Sequence, residues 1–165
     1  MMNLELLFEV SNQTKDQYLY DIAWQHANRT MHEHFRDDNS IYGVIEYNET
    51  DGNVIRKYTI QGYADWSTWF RGQSWAIFGF IIAYRYTKYQ PFLDKAIGAT
   101  NYVLSHLLNP NDLILFWDYD APNSSKLSAL LANRTICPYP KNLYDVSLSF
   151  GDYYLTQAIM HLMKL

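Results

Sequence analysis

Residues 61–80 read QGYADWSTWFRGQSWAIFGF. Trp66, Trp69 and Trp75, three of the chain's five tryptophans, fall here with Phe70, Phe78 and Phe80, and Gln61, Arg71 and Gln73 stand among them. From Ser67, an N-cap residue type, the segment reads as one apolar helix running to about Tyr86. So many flat faces around one guanidinium admit two readings. Either the rings are core packing and Arg71 lays its stem along them, or the segment holds an acidic sugar. In the second reading the rings meet C–H faces, the amides meet hydroxyls and the guanidinium forks a carboxylate. Arg71 and Gln73 are two positions apart, hence on different faces of a helix, so both cannot be core.

Working outward, Leu4, Leu7, Phe8 and Ser11 recur at helical spacing. A second helix starts near Asp16, with Leu19, Ile22, Ala23, His26, Thr30 and Met31 on one stripe. The connection NQTK is short enough to make the two helices an antiparallel hairpin. IYGVIEYNETDGNVIRKYTI places β-branched and aromatic residues around Asp51-Gly52, which predicts a β-hairpin over 41–47 and 54–59. Beyond the central helix, Pro91 opens another one that ends near Leu108, completing a second helical hairpin. LILFWDYDAP reads as extended, SSKLSALLA as two helical turns, and GDYYLTQAIMHLMKL as a terminal helix. The expected fold class is all-α with a β-hairpin, an array or ring of helical hairpins too short to close, whose aromatic face lies open.

The chain of 165 residues, 48% hydrophobic and 18% charged, reads as one folded domain. A net charge of −4 argues against nucleic acid as a partner, because phosphate neutralisation needs clustered cations. The longest apolar run, Trp75 to Tyr84, is broken by Gly79, so no membrane span or membrane partner is expected. MMNLELLFEV carries Glu5 and Glu9 and no basic start, which reads as helix rather than signal peptide. Cys137 is alone, so no internal disulfide forms. Asn12, Asn28, Asn48, Asn123 and Asn133 open Asn-x-Ser/Thr sequons, which point to a glycoprotein of the secretory pathway, with the cytoplasm as the alternative.

Other polar patterns are weaker. Asp118 and Asp120 alternate on an extended segment and share a face, as two-carboxylate chemistry requires, yet so short a pattern favours solvated loop acids. His32 and His34 are two apart on a helix and diverge, so His32-Glu33-His34 reads as a solvated helix end with no metal. His26, on the apolar stripe, reads as a hydrogen-bonded core histidine.

The spacing Q-G-x-x-x-x-S-T-W-x-R-G-Q-x-W-x-I-x-G-F from Gln61 to Phe80, with FWDYDAP and GDYYL, resembles the unsaturated glucuronyl hydrolases of glycoside hydrolase family 88. The resemblance runs from Met1 to about Pro122 and resumes at Gly151. It implies a six-hairpin α/α toroid, of which 1–165 would be the C-terminal portion and less than half of the ring, with 41–59 as a β-hairpin insertion and 123–149 as a degraded segment. It implies removal of a 4,5-unsaturated uronic acid from lyase-generated oligosaccharides. An Asp protonates the double bond and directs water onto it, with no cofactor and no metal. Gln61, Trp69, Arg71 and Trp75 match residues lining the family's uronate pocket. His26 falls in its A-x-x-H-A helix pattern, and Trp117-Asp118 match a wall-building segment.

Departures matter for activity. Ile60 and Gly43 stand where the family often has His, so two polar pocket contacts are expected to be missing. Trp66 adds bulk at the expected pocket mouth, and Asn123 replaces an expected Asp. The catalytic Asp is expected about two residues ahead of the position of Met1, so no catalytic residue is assigned within the chain and hydrolysis by it alone is not expected. Two further readings stand beside this one: a non-catalytic module binding acidic sugars through Trp69, Arg71 and Trp75, and a helical interaction domain that self-associates through its open face.

Overall fold

The computed structural model describes residues 1–106 and 117–121. The terminal helix, the SSKLSALLA turns, the 123–149 segment, the 107–108 end of the fourth helix and all of LILF lie outside those residues. So do Asn123, Asn133 and Cys137.

The chain begins with α1 (Leu4–Thr14), which buries Leu4, Phe8 and Ser11, and α2 (Gln17–Glu33). NQT therefore belongs to α1, and the connection is shorter than its polarity suggested. Lys15 turns the chain in the left-handed region at φ 60, and Asp16 caps α2 by accepting from the Tyr18 amide at 2.9 Å. The second pair is built alike. In α3 (Phe70–Thr87) and α4 (Gln90–Ser105) the turn is again a lysine, Lys88 at φ 57, and Pro91 sits in the first turn of α4. Two-residue turns of this kind make antiparallel neighbours, so two similar helical hairpins follow one another along the chain.

The buried stripe of α2 is Ala23, Ala27, Thr30 and Met31. It is turned slightly from the expected one, which leaves Ile22 and His26 exposed. Aromatic rings join the hairpins. Phe8 stacks on Tyr86 at 5.2 Å, while Phe80, fully buried, meets Phe35 edge-on at 5.3 Å and Phe92 at 5.7 Å. α3 lies at the centre of this core, which is why its sequence is apolar almost all round.

Between the hairpins, β1 (Val44–Tyr47) pairs antiparallel with β2 (Val54–Tyr58) in the register Val44 to Tyr58, with an irregularity between Glu46 and Tyr47. The turn spans Asn48–Asn53, as the expected inner strand ends at 47 and 54 require. Asn48 and Asp51 side chains accept from the Thr50 and Asn53 amides, and Gly52 alone takes positive φ, at 71°. The hairpin rests on the end of α2, where Arg29 donates to the Gly52 carbonyl and Lys57 to the Glu33 carbonyl.

Candidate functional site

The predicted start of α3 at Ser67 is corrected to Phe70, with Trp69 in extended geometry at the cap. The cause is a competing partner. The Ser67 hydroxyl donates to Asp118 Oδ2 at 2.6 Å instead of capping a helix. That carboxylate also accepts from the Tyr63 amide (2.9 Å) and, through Oδ1, from the Asp120 amide (3.0 Å). Asp120 in turn accepts from the Thr68 amide at 2.8 Å. Main-chain bonds from Phe70 to the Trp117 carbonyl and from Tyr119 to the Thr68 carbonyl complete a short antiparallel clasp. Burial pushes the Asp118 carboxyl up, and its bonds from Ser67, Tyr63 and Asp120 oppose that shift. Asp118 is thus not a solvated loop acid. It is fully buried and holds the loop ahead of α3.

Arg36 works on the same segment from the other side. It donates to the Ser67 carbonyl (3.2 Å), the Thr68 hydroxyl (3.3 Å) and the Ile41 carbonyl (3.1 Å), with its guanidinium over the Tyr42 ring at 3.9 Å. Held by both, Trp69 is 5% exposed and meets Trp75 edge-to-face at 5.4 Å. Gly72 makes room for that indole: a Cβ there would lie 3.3 Å from Trp69 Cε3.

Trp69 and Trp75 form one wall of a cavity of about 190 Å³. Thr30, His26 and His34 bring polar groups to it, and Tyr42, Gly43 and Met1 also line it. It is smaller than the roughly 300–1,000 Å³ of drug-sized sites and suits one ring rather than a chain. No carboxylate lines it among the described residues. Partial desolvation of the rings holds both imidazoles below the ordinary histidine value. For His26 the Met1 amino group and then His34 act in the same direction. For His34 the Tyr42 carbonyl opposes the shift, while the Met1 amino group and Lys57 reinforce it.

The four site residues expected from the sequence divide. Trp69 and Trp75 line the cavity together. Arg71 lies half-buried with its guanidinium over the Trp69 ring, 5.1 Å from the centroid, beside this cavity and not in its lining. Gln61 is half-buried on the preceding loop and is not part of this cavity's lining. Gln73, the other polar residue of the motif, is core: its amide donates to the Asn39 carbonyl at 2.9 Å and the Ala99 carbonyl at 3.3 Å. Sequence reasoning misplaced the histidines. His26 is exposed rather than core, and His34 is turned into the cavity instead of ending in solvent. No side-chain pattern could signal this, because the partner of His34 is the main-chain carbonyl of Tyr42, eight residues on. Trp66, expected to crowd the pocket mouth, is 63% exposed against Tyr63 and does not line the cavity.

No protein-family model matches the chain. Curated relatives do. The chain is 40% identical over 161 residues to an unsaturated glucuronyl hydrolase of Formosa agariphila, covering 94% of this chain and 40% of that protein. It is 37% identical over 166 residues to an unsaturated chondroitin disaccharide hydrolase of Streptococcus pneumoniae, covering 99% of this chain and 41% of that one. Among solved structures, the unsaturated glucuronyl hydrolase of a Bacillus species superposes with a TM-score of 0.72 at 28% identity, over 99% of this chain and 44% of that chain. These neighbours have an α/α toroid fold, of which this chain spans about two-fifths to one half.

Proposed function

This chain is a homologue of unsaturated glucuronyl hydrolases that spans about two-fifths of the length of its curated relatives, and we propose that it forms the substrate-holding wall of such an enzyme. The ligand is an oligosaccharide ending in a 4,5-unsaturated uronic acid. The observation that carries this reading is the crossed pair of indoles, Trp69 and Trp75, closing a ring-sized cavity with Arg71 over one of them. Indole faces pack against C–H surface, and a guanidinium beside them serves a carboxylate. A streptococcal neighbour at 27% identity, whose chain this one covers to 38%, was solved with an unsaturated disaccharide, dGlcA-GalNAc6S, which sets the ligand class to try first.

Binding and chemistry separate. Hydrating a vinyl ether requires a proton delivered to one carbon as water adds to the other, hence a positioned acid. The cavity's described lining offers indoles, imidazoles and hydroxyls but no carboxyl. The 165-residue chain in this proposal therefore holds the unsaturated uronide without turning it over. Calorimetric titration with an unsaturated chondroitin disaccharide is expected to show saturable heat that Arg71→Ala weakens, while the ultraviolet absorbance of the double bond stays constant. No heat from a folded sample overturns the binding claim, and loss of absorbance overturns the separation of binding from chemistry.

The proposal extends to self-association. In this proposal a second copy of the chain covers the apolar side chains of its open face. Size-exclusion chromatography is expected to show a species larger than 19.5 kDa, and a clean monomer at high concentration contradicts it.

A further inference from the structure

His34 is fastened to the first β-strand's approach by two bonds to one residue. Its carbonyl accepts from the Tyr42 amide at 2.9 Å, and its ring Nδ1 lies 3.1 Å from the Tyr42 carbonyl. A carbonyl oxygen brings no proton, so Nδ1 must carry it. That fixes the tautomer. The neutral ring then presents the Nε2 lone pair, for which no partner exists among the described residues, and the side chain lines the cavity with Trp69, Trp75 and Thr30.

We propose that His34 is a specificity-determining residue of this cavity: locked as the Nδ1–H tautomer by Tyr42, it accepts through Nε2 a hydrogen bond from a hydroxyl of the bound sugar. The inference rests on the sugar-binding reading above and adds to it a group that reads a hydroxyl rather than a carboxylate. A polar acceptor in a cavity walled by indoles discriminates strongly, because a ligand lacking the hydroxyl leaves it unpaired. The charged and titratable groups around the ring are the Met1 amino group and His26 towards the cavity, Lys57 from β2, and Glu33 beside it on α2. α3 and its cap contribute none to the lining, only Trp69 from the cap and Gly72, Trp75 and Ala76 from the helix. Burial, the amino group and Lys57 favour the neutral ring that can accept; Glu33 and the Tyr42 carbonyl oppose them.

Two substitutions separate this role from a structural one. In His34→Gln the side-chain oxygen reaches the place of Nε2 while the donor to Tyr42 is lost. In His34→Asn the donor to Tyr42 is kept while the acceptor in the cavity is lost. Titrated with the unsaturated chondroitin disaccharide, His34→Gln is expected to bind within threefold of the unaltered chain, and His34→Asn about tenfold or more weakly. The unaltered chain is expected to lose affinity as the pH falls below 6.5, and His34→Gln much less so. Circular dichroism establishes that each variant is folded. Equal binding by His34→Asn, or a weaker His34→Gln than His34→Asn, overturns the inference. Affinity that rises on acidification overturns it too, since it means an imidazolium pairing with the carboxylate. Independently of any ligand, nitrogen-15 spectra of the neutral ring are expected to show the proton on Nδ1, and a proton on Nε2 overturns the inference. If the unaltered chain gives no heat, the sugar-binding reading and this inference fall together; if it binds and only the His34 outcomes fail, this inference falls alone.

Discussion

The two halves of one aromatic segment behave oppositely. In residues 67–80, Ser67, Thr68 and Trp69 are buried and held from one side by the Asp118–Asp120 clasp and from the other by Arg36. In residues 60–66, Ile60, Tyr63 and Trp66 are 52%, 48% and 63% exposed. Asp118 holds the Tyr63 amide as well, so the difference lies in enclosure: only Ser67 and Thr68 are held between the clasp and Arg36. A tryptophan becomes part of a site when polar groups on both sides fix its backbone, and the same residue type three positions earlier stays on the surface.

Breaking the clasp is expected to have the largest effect. Asp118→Ala removes the acceptor for the Ser67 hydroxyl and the Tyr63 and Asp120 amides, at a cost of about 3 kcal/mol, and thermal melting should show a fall of about 10 °C. Asp118→Asn retains one acceptor oxygen and is expected to lose less. An unchanged melting temperature for Asp118→Ala would mean the clasp does not hold the segment.

Next in size is Trp75→Ala, which removes one face of the indole pair. Affinity for the unsaturated disaccharide is expected to fall roughly tenfold, about 1.4 kcal/mol, in calorimetry. Gly72→Ala tests the packing beneath Trp69. Its methyl group would sit 3.3 Å from the ring, and denaturant titration is expected to show a loss of about 1 kcal/mol.

Acid should act through the imidazoles. His26 and His34 are held below their ordinary value of 6.5 when folded, so below that pH the unfolded chain binds more protons than the folded one. Stability from this source is present above pH 6.5 and is lost as the pH falls through the window down to the lowered values. Melting at pH 7.5 and 5.5 should show the decline, reduced in His34→Gln. Smallest is Trp66→Ala on the exposed half, with a stability change within about 0.5 kcal/mol and no effect on binding. A large loss of binding there would move the site to the loop.

Hydrophobic periodicity and turn chemistry made the helices and the β-hairpin legible, because Leu4, Phe8 and Ser11 or Asp16 and Pro91 act within a turn or two of themselves. The site was legible in its indoles, since Trp69 and Trp75 stand in one dense motif. It was illegible where partners are remote in sequence. Asp118 meets Ser67 across 51 residues, so local rules favoured Ser67 as a cap and Asp118 as a solvated acid. His34 sits at a helix end, where periodicity no longer tells which way a side chain turns, and its direction is set by Tyr42.

The most direct test follows the indole N–H signals of Trp66, Trp69 and Trp75 in a nitrogen-15 correlation spectrum as the unsaturated disaccharide is added. Saturable shifts at Trp69 and Trp75 with Trp66 unmoved are the predicted result. Shifts confined to Trp66, or no shift at any of the three, would contradict the claim that the buried half of the segment is the sugar-binding wall.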